Sequence, residues 1–156
     1  MKKFLLKILF LLFKRSLTFL SKYDKNINKE LNFFPENFSI IIKIHKLDSP
    51  IISIKKIKGK FVEDTDTFSA NLIIEFKNTN SAFLVFTAQK GLEKAFAEKR
   101  IVLKGLITYG IIFTRISIIV QRYLFPVFIC KNIMKHIIPI NNMLKIKLYF
   151  YGIIRG

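Results

Sequence analysis

The hydrophobic and polar positions alternate most regularly over residues 68–77, FSANLIIEFK. Apolar side chains occupy every second position from Phe68 to Phe76, and only Ile73 breaks the alternation. A period of two is that of a strand with one face against a core. The pattern therefore predicts a β-strand over residues 68–77.

Two short helices and another strand are predicted directly after this strand. A polar turn follows it, and Ser81 at the end of the turn can N-cap a short apolar helix. Gly91 separates that helix from a second short helix over residues 92–98, whose apolar positions share one face. The run ends in a strand over residues 101–104, which Gly105 stops.

Alternation also marks two stretches that precede residue 68. Residues 38–47 and 51–58 alternate apolar with polar or lysine side chains, and Asp48-Ser49-Pro50 forms a turn between them. We expect these two strands and the strand at 68–77 to form one antiparallel sheet, with the acidic residues 63–66 in a connection. The side chains expected to face the helices are Ile40, Ile42, Ile44, Leu72 and Ile74. Because the strands come in one block and the helices follow, the predicted fold is α+β with an antiparallel-dominated sheet.

Residues 2–22 wind into a helix with a narrow basic stripe beside a broad Phe and Leu face. One interpretation is a helix lying in the plane of a membrane, with its apolar side chains at the acyl boundary and its ammonium groups at the phosphates. The expected membrane contacts are Lys3, Lys7, Phe10, Phe13 and Lys14. The alternative is a first helix that packs on the core. Lys7 interrupts the apolar run and no small-x-small cleavage site follows, so a cleaved secretion signal is not expected.

A longer amphipathic helix is predicted over residues 107–123. Its polar face carries Thr114, Ser117, Gln121 and Arg122, and its apolar face carries Ile112, Phe113, Ile116, Ile119, Val120 and Tyr123. Arg115 and Arg122 interrupt it, so no uncharged run approaches the ~18 residues that a membrane-spanning helix requires. Pro126 ends this helix. Residues 143–154 alternate apolar residues with lysine, which is compatible with a strand or a helix.

These patterns divide the chain into three parts. A basic amphipathic segment over residues 1–30 is expected to associate with a membrane. The polar, Asn-rich residues 24–36 read as a linker or a loose helix tail, which places the domain boundary near residue 30. The predicted domain covers residues 31–138, and residues 139–156 form a basic tail.

The order strand, helix, glycine, helix, strand, glycine resembles the C-terminal half of the sterol carrier protein-2-like lipid-binding domain. The matching motifs are the Ala-Asn-Leu-Ile-Ile strand at 70–74, Gly91, Lys94-Ala95-Phe96, and the strand from Lys99 to Gly105. One departure is Leu106, which stands where the family often has a polar residue. The resemblance implies helices that close over the sheet and leave an apolar cavity for a fatty acyl chain or a sterol. The residues implied to bind that lipid are Phe83, Phe86, Phe96, Phe113, Ile116 and Val120.

Composition supports an apolar or anionic partner. The 156 residues are 51% hydrophobic, with 17 Phe and no Trp, and carry a formal net charge of +17. Every charged side chain after Glu98 is Lys or Arg, so this half of the chain would face an anionic surface. An AT-rich coding sequence is an alternative source of the Lys, Ile, Asn and Phe bias. Cys130 is the one cysteine, which excludes an intrachain disulfide and fits a reducing compartment.

The sequence offers no recognisable catalytic or metal-binding motif. His45 and His136 lie in segments without obvious partners for acid–base chemistry. The acidic residues 63–66 lack the glycine and the terminal glutamate of a calcium loop, and the glycines do not form a phosphate loop. We therefore expect a non-enzymatic protein without cofactor or metal.

These observations favour a lipid-binding or carrier module, cytoplasmic and peripheral at an anionic membrane. Its expected partners are an apolar lipid and the membrane surface. One alternative is a basic protein that binds nucleic acid or an acidic partner and has no ligand cavity. Nucleic acid is the less expected partner because Phe68 and Phe76 share a strand face with aliphatic residues, which is typical of a core rather than an RNA-binding sheet. Another alternative is an accessory protein of membrane lipid or quinone synthesis.

Overall fold

The computed structural model describes residues 1–155 as a five-stranded sheet with helices packed on one of its faces. The strands are β1 (Ser39–Ile44), β2 (Ile52–Ile57), β3 (Lys60–Glu63), β4 (Leu72–Phe76) and β5 (Ile101–Lys104). The helices are α1 (Lys2–Tyr23), α2 (Lys25–Leu31), α3 (Thr79–Phe86), α4 (Leu92–Ala97), α5 (Ile107–Leu124), α6 (Val127–Cys130) and α7 (Asn142–Lys147). A π-helical segment, Leu148–Ile154, continues α7, and the two together are called the C-terminal helix.

The strand order is β3-β2-β1-β4-β5, and every neighbouring pair except one is antiparallel. The antiparallel-dominated α+β fold is thus confirmed. The exception is the β1–β4 pair, which is parallel with Ile40 opposite Leu72, so the expectation of a purely antiparallel sheet is wrong there. The unpredicted strand β3 is the reason. It reverses the chain once more at the edge of the sheet, and residues 64–71 then return the chain to the side of β1.

The predicted inward face of the sheet is confirmed. Ile40, Ile42, Ile44, Leu72 and Ile74 are all buried in the main core. The strand at 68–77 is shorter than predicted, because a turn precedes it. Asp66 accepts hydrogen bonds from the backbone N–H groups of Phe68 and Ser69 at 2.8 and 3.1 Å, and Phe68 points away from the core with 90% of its surface exposed.

Helix α1 packs against the core along one complete face. Leu6, Phe10, Phe13, Leu17 and Leu20 are buried there. The Phe10 and Phe86 rings stack with centroids 4.3 Å apart, and Phe13 meets Phe86 edge-on at 5.3 Å. On this face, α1 therefore follows the second interpretation, that of a first helix that packs on the core.

The segment at 24–36, predicted as a linker or a loose helix tail, contains the short helix α2. The Asp24 carboxylate caps it by accepting from the N–H groups of Asn26 and Ile27 at 2.8 and 2.9 Å. Ile27 and Leu31 are buried on its inner side. The other oxygen of Asp24 accepts a hydrogen bond of 2.6 Å from the Tyr123 hydroxyl, which ties the α1–α2 junction to the end of α5.

Helix α3 begins earlier than the sequence predicts. Its N-cap is Asn78, whose side-chain oxygen accepts from the Ser81 N–H at 2.8 Å, and Ser81 itself lies inside the helix. The competing capper three residues upstream therefore takes the role assigned to Ser81. Gly91 is the N-cap residue of α4, as expected for a glycine between two short helices.

Helix α5 is buried on its polar side as well as on its apolar side. Gln121 donates to the Val85 carbonyl oxygen at 2.9 Å, and Arg122 donates to the Ile138 carbonyl oxygen at 3.2 Å. Helix α3 and the chain beyond Pro126 thus cover this side of α5 near its C-terminal end. None of the helices within residues 1–155 combines the length and the apolar run needed to cross a bilayer.

The last stretch of the chain, which was compatible with a strand or a helix, is helical. Asn141 caps it by accepting from the Leu144 N–H at 3.2 Å. Its inner side carries Leu144, Leu148 and Gly152 at a spacing of four residues, and Leu148 and Gly152 are buried. The alternation of apolar residues and lysine over residues 144–148 therefore belongs to a helix and not to a strand.

Candidate functional site

The interior space between the sheet and the helices is almost filled. It is an apolar cavity of about 10 Å³ whose walls include Phe13, Phe86 and Phe113. A single water molecule needs roughly 10–15 Å³. The two phenylalanine rings of α1, Phe10 and Phe13, occupy the space over Phe86, so this cavity has no room for an acyl chain in the present conformation.

The six residues implied to bind lipid fall into two environments. Phe86, Phe113, Ile116 and Val120 are buried in the main core. Phe83 and Phe96 are only half-buried. Phe83 lies 5.7 Å below the Lys2 ammonium group in a cation–π contact. The six residues therefore do not line one common cavity, and Phe96 borders an open apolar space.

That open space is an apolar groove of about 310 Å³ between α4, β5 and α5. We call it the α4–α5 groove, and it is lined by Glu93, Phe96, Leu103, Ile107, Gly110, Ile111 and Thr114. Ile107 and Ile111 are exposed on its rim. Its one ionisable lining residue is Glu93, so an apolar ligand would meet little charge.

Two glycines set the depth of this groove. Gly105 has φ +123°, and a Cβ there would lie 2.5 Å from the Asn71 carbonyl oxygen, so only glycine allows the tight exit from β5 into α5. A Cβ at Gly110 would lie 3.0 Å from the Cδ2 atom of Leu103. The absence of a side chain at Gly110 lets α5 approach β5 and leaves Leu103 to form the floor.

Of the five residues predicted to contact a membrane, the two phenylalanines face inward. Phe10 and Phe13 are buried under α1 because they complete the core around Phe86. Lys3 and Lys7 are exposed. Lys14 is half-buried, and its ammonium nitrogen lies 2.5 Å from a carboxylate oxygen of Glu63.

Other apolar residues of α1 are exposed in their place. Phe4, Ile8 and Leu11 recur every three or four residues and all face solvent, with Leu5 beside them. We call these four residues the α1 stripe. Lys3 and Lys7 lie on the same half of the helix, so the stripe has basic neighbours. The spacing of the stripe is visible in the sequence, but the choice between the two apolar sides required the positions of the core aromatics.

The open face of the sheet carries an ionic cluster around Glu75. The Glu75 carboxylate lies 2.5 Å from Nδ1 of His45, 3.5 Å from the Lys43 ammonium group and 3.8 Å from that of Lys104. Burial raises the pKa of Glu75, but the His45 hydrogen bond and the two ammonium groups outweigh burial and hold this pKa below its ordinary value. His45 thus has a partner that the sequence did not reveal, because β4 lies beside β1 only in the folded sheet. Among residues 1–155, no group of His, Cys, Asp and Glu side chains is arranged to hold a metal ion.

No protein-family model matches the chain, and no curated protein matches it in sequence. Among solved structures, the chain is similar to a UbiJ-SCP2 ubiquinone synthesis protein, with 9% identity and a TM-score of 0.47 over 68% of this chain and 87% of that one. It is also similar to sterol carrier protein 2 like 2 from Aedes aegypti, with 11% identity and a TM-score of 0.35 over 62% of this chain and 94% of that one. Both are named as proteins of the sterol carrier type that the sequence resembles.

Proposed function

We propose that this protein binds one apolar lipid, a fatty acyl chain or a sterol, in the α4–α5 groove while it rests on an anionic membrane. The observation that carries the proposal is the groove itself. It is open to solvent, its volume of about 310 Å³ is at the lower end of ligand sites, and its lining is nearly all apolar. A ligand of this class gains by removing Ile107, Ile111 and Phe96 from water.

The membrane part of the proposal rests on the α1 stripe. Its exposed residues Phe4, Ile8 and Leu11 can enter the acyl boundary, while Lys3 and Lys7 reach lipid phosphates. Basic residues near an anionic surface contribute about 1 kcal/mol each to binding. Lys14 adds less, since Glu63 already neutralises its ammonium group.

The groove is tested with a dansyl-labelled fatty acid in the absence of vesicles. We expect saturable binding that changes little with salt, because apolar burial is not screened. Ile111→Glu places a charge on the groove rim and should weaken binding at least about tenfold. Ile57→Glu is the matched control, since Ile57 is also an exposed isoleucine but lies at the end of β2, outside the groove.

A ligand in the interior cavity would give a different result. Phe13→Ala enlarges the interior space beside Phe86 without touching the groove. If Phe13→Ala tightens fatty acid binding and Ile111→Glu leaves it unchanged, the ligand lies inside the core and the groove proposal is wrong.

A second candidate function is nucleic-acid binding, which the net charge of +17 favours. Phosphate contacts release counterions, so the affinity for an oligonucleotide would fall steeply as salt rises. If the protein shows no saturable fatty acid binding but binds oligonucleotides with a steep salt dependence, this second function replaces the first.

A further inference from the structure

The C-terminal helix presents an apolar face that no other part of residues 1–155 covers. Met143, Ile146, Phe150 and Ile154 are 69%, 56%, 62% and 72% exposed. Their spacing of three or four residues places them on one side of the helix, and we call them the C-terminal stripe. Folding does not require this side to be apolar, because the opposite side already packs on the core through Leu148 and Gly152.

The C-terminal stripe is held in place by contacts on both sides of the helix. The Arg15 guanidinium of α1 donates to the Ile153 carbonyl oxygen at 2.8 Å. A Cβ on Gly152 would lie 3.0 Å from the Phe19 ring, so the helix backbone rests directly on α1. The Tyr149 hydroxyl donates to the Leu124 carbonyl oxygen of α5 at 3.0 Å. The stripe is therefore a fixed surface of the folded protein.

Basic and aromatic residues surround this stripe. Lys145 and Lys147 lie within the helix, and Arg155 follows it. No Asp or Glu occurs in the sequence after Glu98. An apolar face with basic flanks is the pattern of a helix that lies in a membrane interface, and tyrosines such as Tyr151 are enriched at that depth.

A basic depression joins this helix to α1. It has a volume of about 320 Å³, and the charged side chains that line it are Lys14, Arg15, Lys22 and Glu63. Leu11 of the α1 stripe and Tyr151 of the C-terminal helix both border the depression. The two helices are thus neighbours, with a basic depression between them where lipid phosphates would lie.

We propose that the C-terminal helix is a second membrane-docking element, which inserts its stripe into the acyl boundary of an anionic bilayer next to α1. This inference rests on the membrane part of the proposed function. A second copy of the chain is the less suitable occupant, because pairing two C-terminal stripes would bring Lys145, Lys147 and Arg155 of both copies together without an acidic partner in this helix.

The absence of tryptophan in the chain gives a direct test. A single tryptophan introduced by Phe150→Trp should shift its emission to the blue with vesicles of phosphatidylcholine containing roughly one-third phosphatidylserine. Phe68→Trp is the matched control, because Phe68 is also exposed but lies in the turn before β4, and its emission should not change. Identical emission shifts in the two variants, or none in Phe150→Trp, would overturn the inference.

The second arm compares Phe150→Glu with Phe68→Glu in vesicle sedimentation. Both side chains are exposed, so both variants should fold, and circular dichroism melting verifies this. We expect Phe150→Glu to lose at least about tenfold in vesicle affinity and Phe68→Glu to bind like the wild type. Equal affinity of all three proteins contradicts the inference.

Two further results distinguish this inference from the proposed function. If Phe4→Glu abolishes vesicle binding while Phe150→Glu does not change it, α1 alone docks the protein, and only the C-terminal element is refuted. If the wild type is a dimer that Phe150→Glu converts to a monomer, the stripe is an interface between copies and the inference is wrong. Fatty acid binding without vesicles decides the groove independently of either outcome.

Discussion

Phe10 and Phe4 lie six residues apart on α1 in opposite environments. Phe10 is 2% exposed and stacks on Phe86, whereas Phe4 is 68% exposed. The same truncation to alanine should therefore affect a different property at each position. Phe10→Ala should reduce stability, and Phe4→Ala should reduce membrane binding.

The expected magnitudes are well separated. Truncation of a buried phenylalanine typically costs about 3–5 kcal/mol of unfolding free energy, of which a stacked ring pair contributes roughly 0.5–1.5 kcal/mol. The unfolding free energy of a whole domain is only about 5–15 kcal/mol, so Phe10→Ala should leave a marginally stable protein. Surface substitutions usually stay within about 0.5 kcal/mol, which is the expectation for Phe4→Ala. Loss of the Phe4 side chain from the acyl boundary should weaken vesicle binding roughly tenfold.

Urea unfolding followed by circular dichroism measures the first effect, and sedimentation with anionic vesicles measures the second. Phe10→Leu serves as a conservative control, since it keeps most of the buried volume and should fall between the wild type and Phe10→Ala in its urea midpoint. If Phe10→Ala unfolds at the wild-type midpoint but no longer binds vesicles, then α1 docks through its inner face and the packing argument fails.

Two further predictions concern the contacts that hold the helices around the core. Tyr123→Phe removes the buried hydrogen bond of 2.6 Å to Asp24 and should cost about 1.5–3 kcal/mol in urea unfolding, because the acceptor is a carboxylate. Hydrogen bonds from Lys90 and Arg100 lower the pKa of Glu98 to about 2. The folded-state pKa is thus below the unfolded one, so this contribution to stability is complete above about pH 4.5 and is lost as pH falls towards 2. Glu98→Gln should flatten the acid side of the stability profile in that window, and an unchanged profile would contradict this assignment.

The strand faces could be predicted because alternation records which side of a sheet is buried. The two-residue spacing of Ile40, Ile42 and Ile44 was enough to predict that their side chains face the core. The parallel pairing of β1 with β4 could not be predicted in this way, since alternation says nothing about strand order. It depends on β3, whose four residues contain a single fully buried side chain, Phe61, and give no readable period.

The candidate site was less accessible to sequence reasoning. Phe96 is expected at a lipid site and borders the groove, but Ile107 and Ile111 are not expected there, because they lie on the side of α5 that also carries the polar residue Thr114. Further along this side, Gln121 and Arg122 are buried, and the backbone carbonyl groups of Val85 and Ile138 accept their hydrogen bonds. The same side of α5 is therefore buried near its C-terminal end and open at its first turns, where it forms the groove. Tertiary contacts with Val85 and Ile138 cover the C-terminal part of this side, and such contacts are not readable from the spacing of residues along α5.

A biased coding sequence explains how many apolar residues the chain has, but it does not explain where the exposed ones lie. Bias alone would scatter exposed residues, and Phe33, Leu47, Phe68 and Phe128 are scattered in this manner. The α1 stripe and the C-terminal stripe instead repeat at helical spacing, on helices whose opposite sides pack on the rest of the protein. Isolated exposed apolar residues need no explanation, whereas contiguous ones mark an interaction surface. The same distinction makes Phe68 a suitable control for Phe150, because both are exposed phenylalanines and only Phe150 has apolar neighbours that continue the surface.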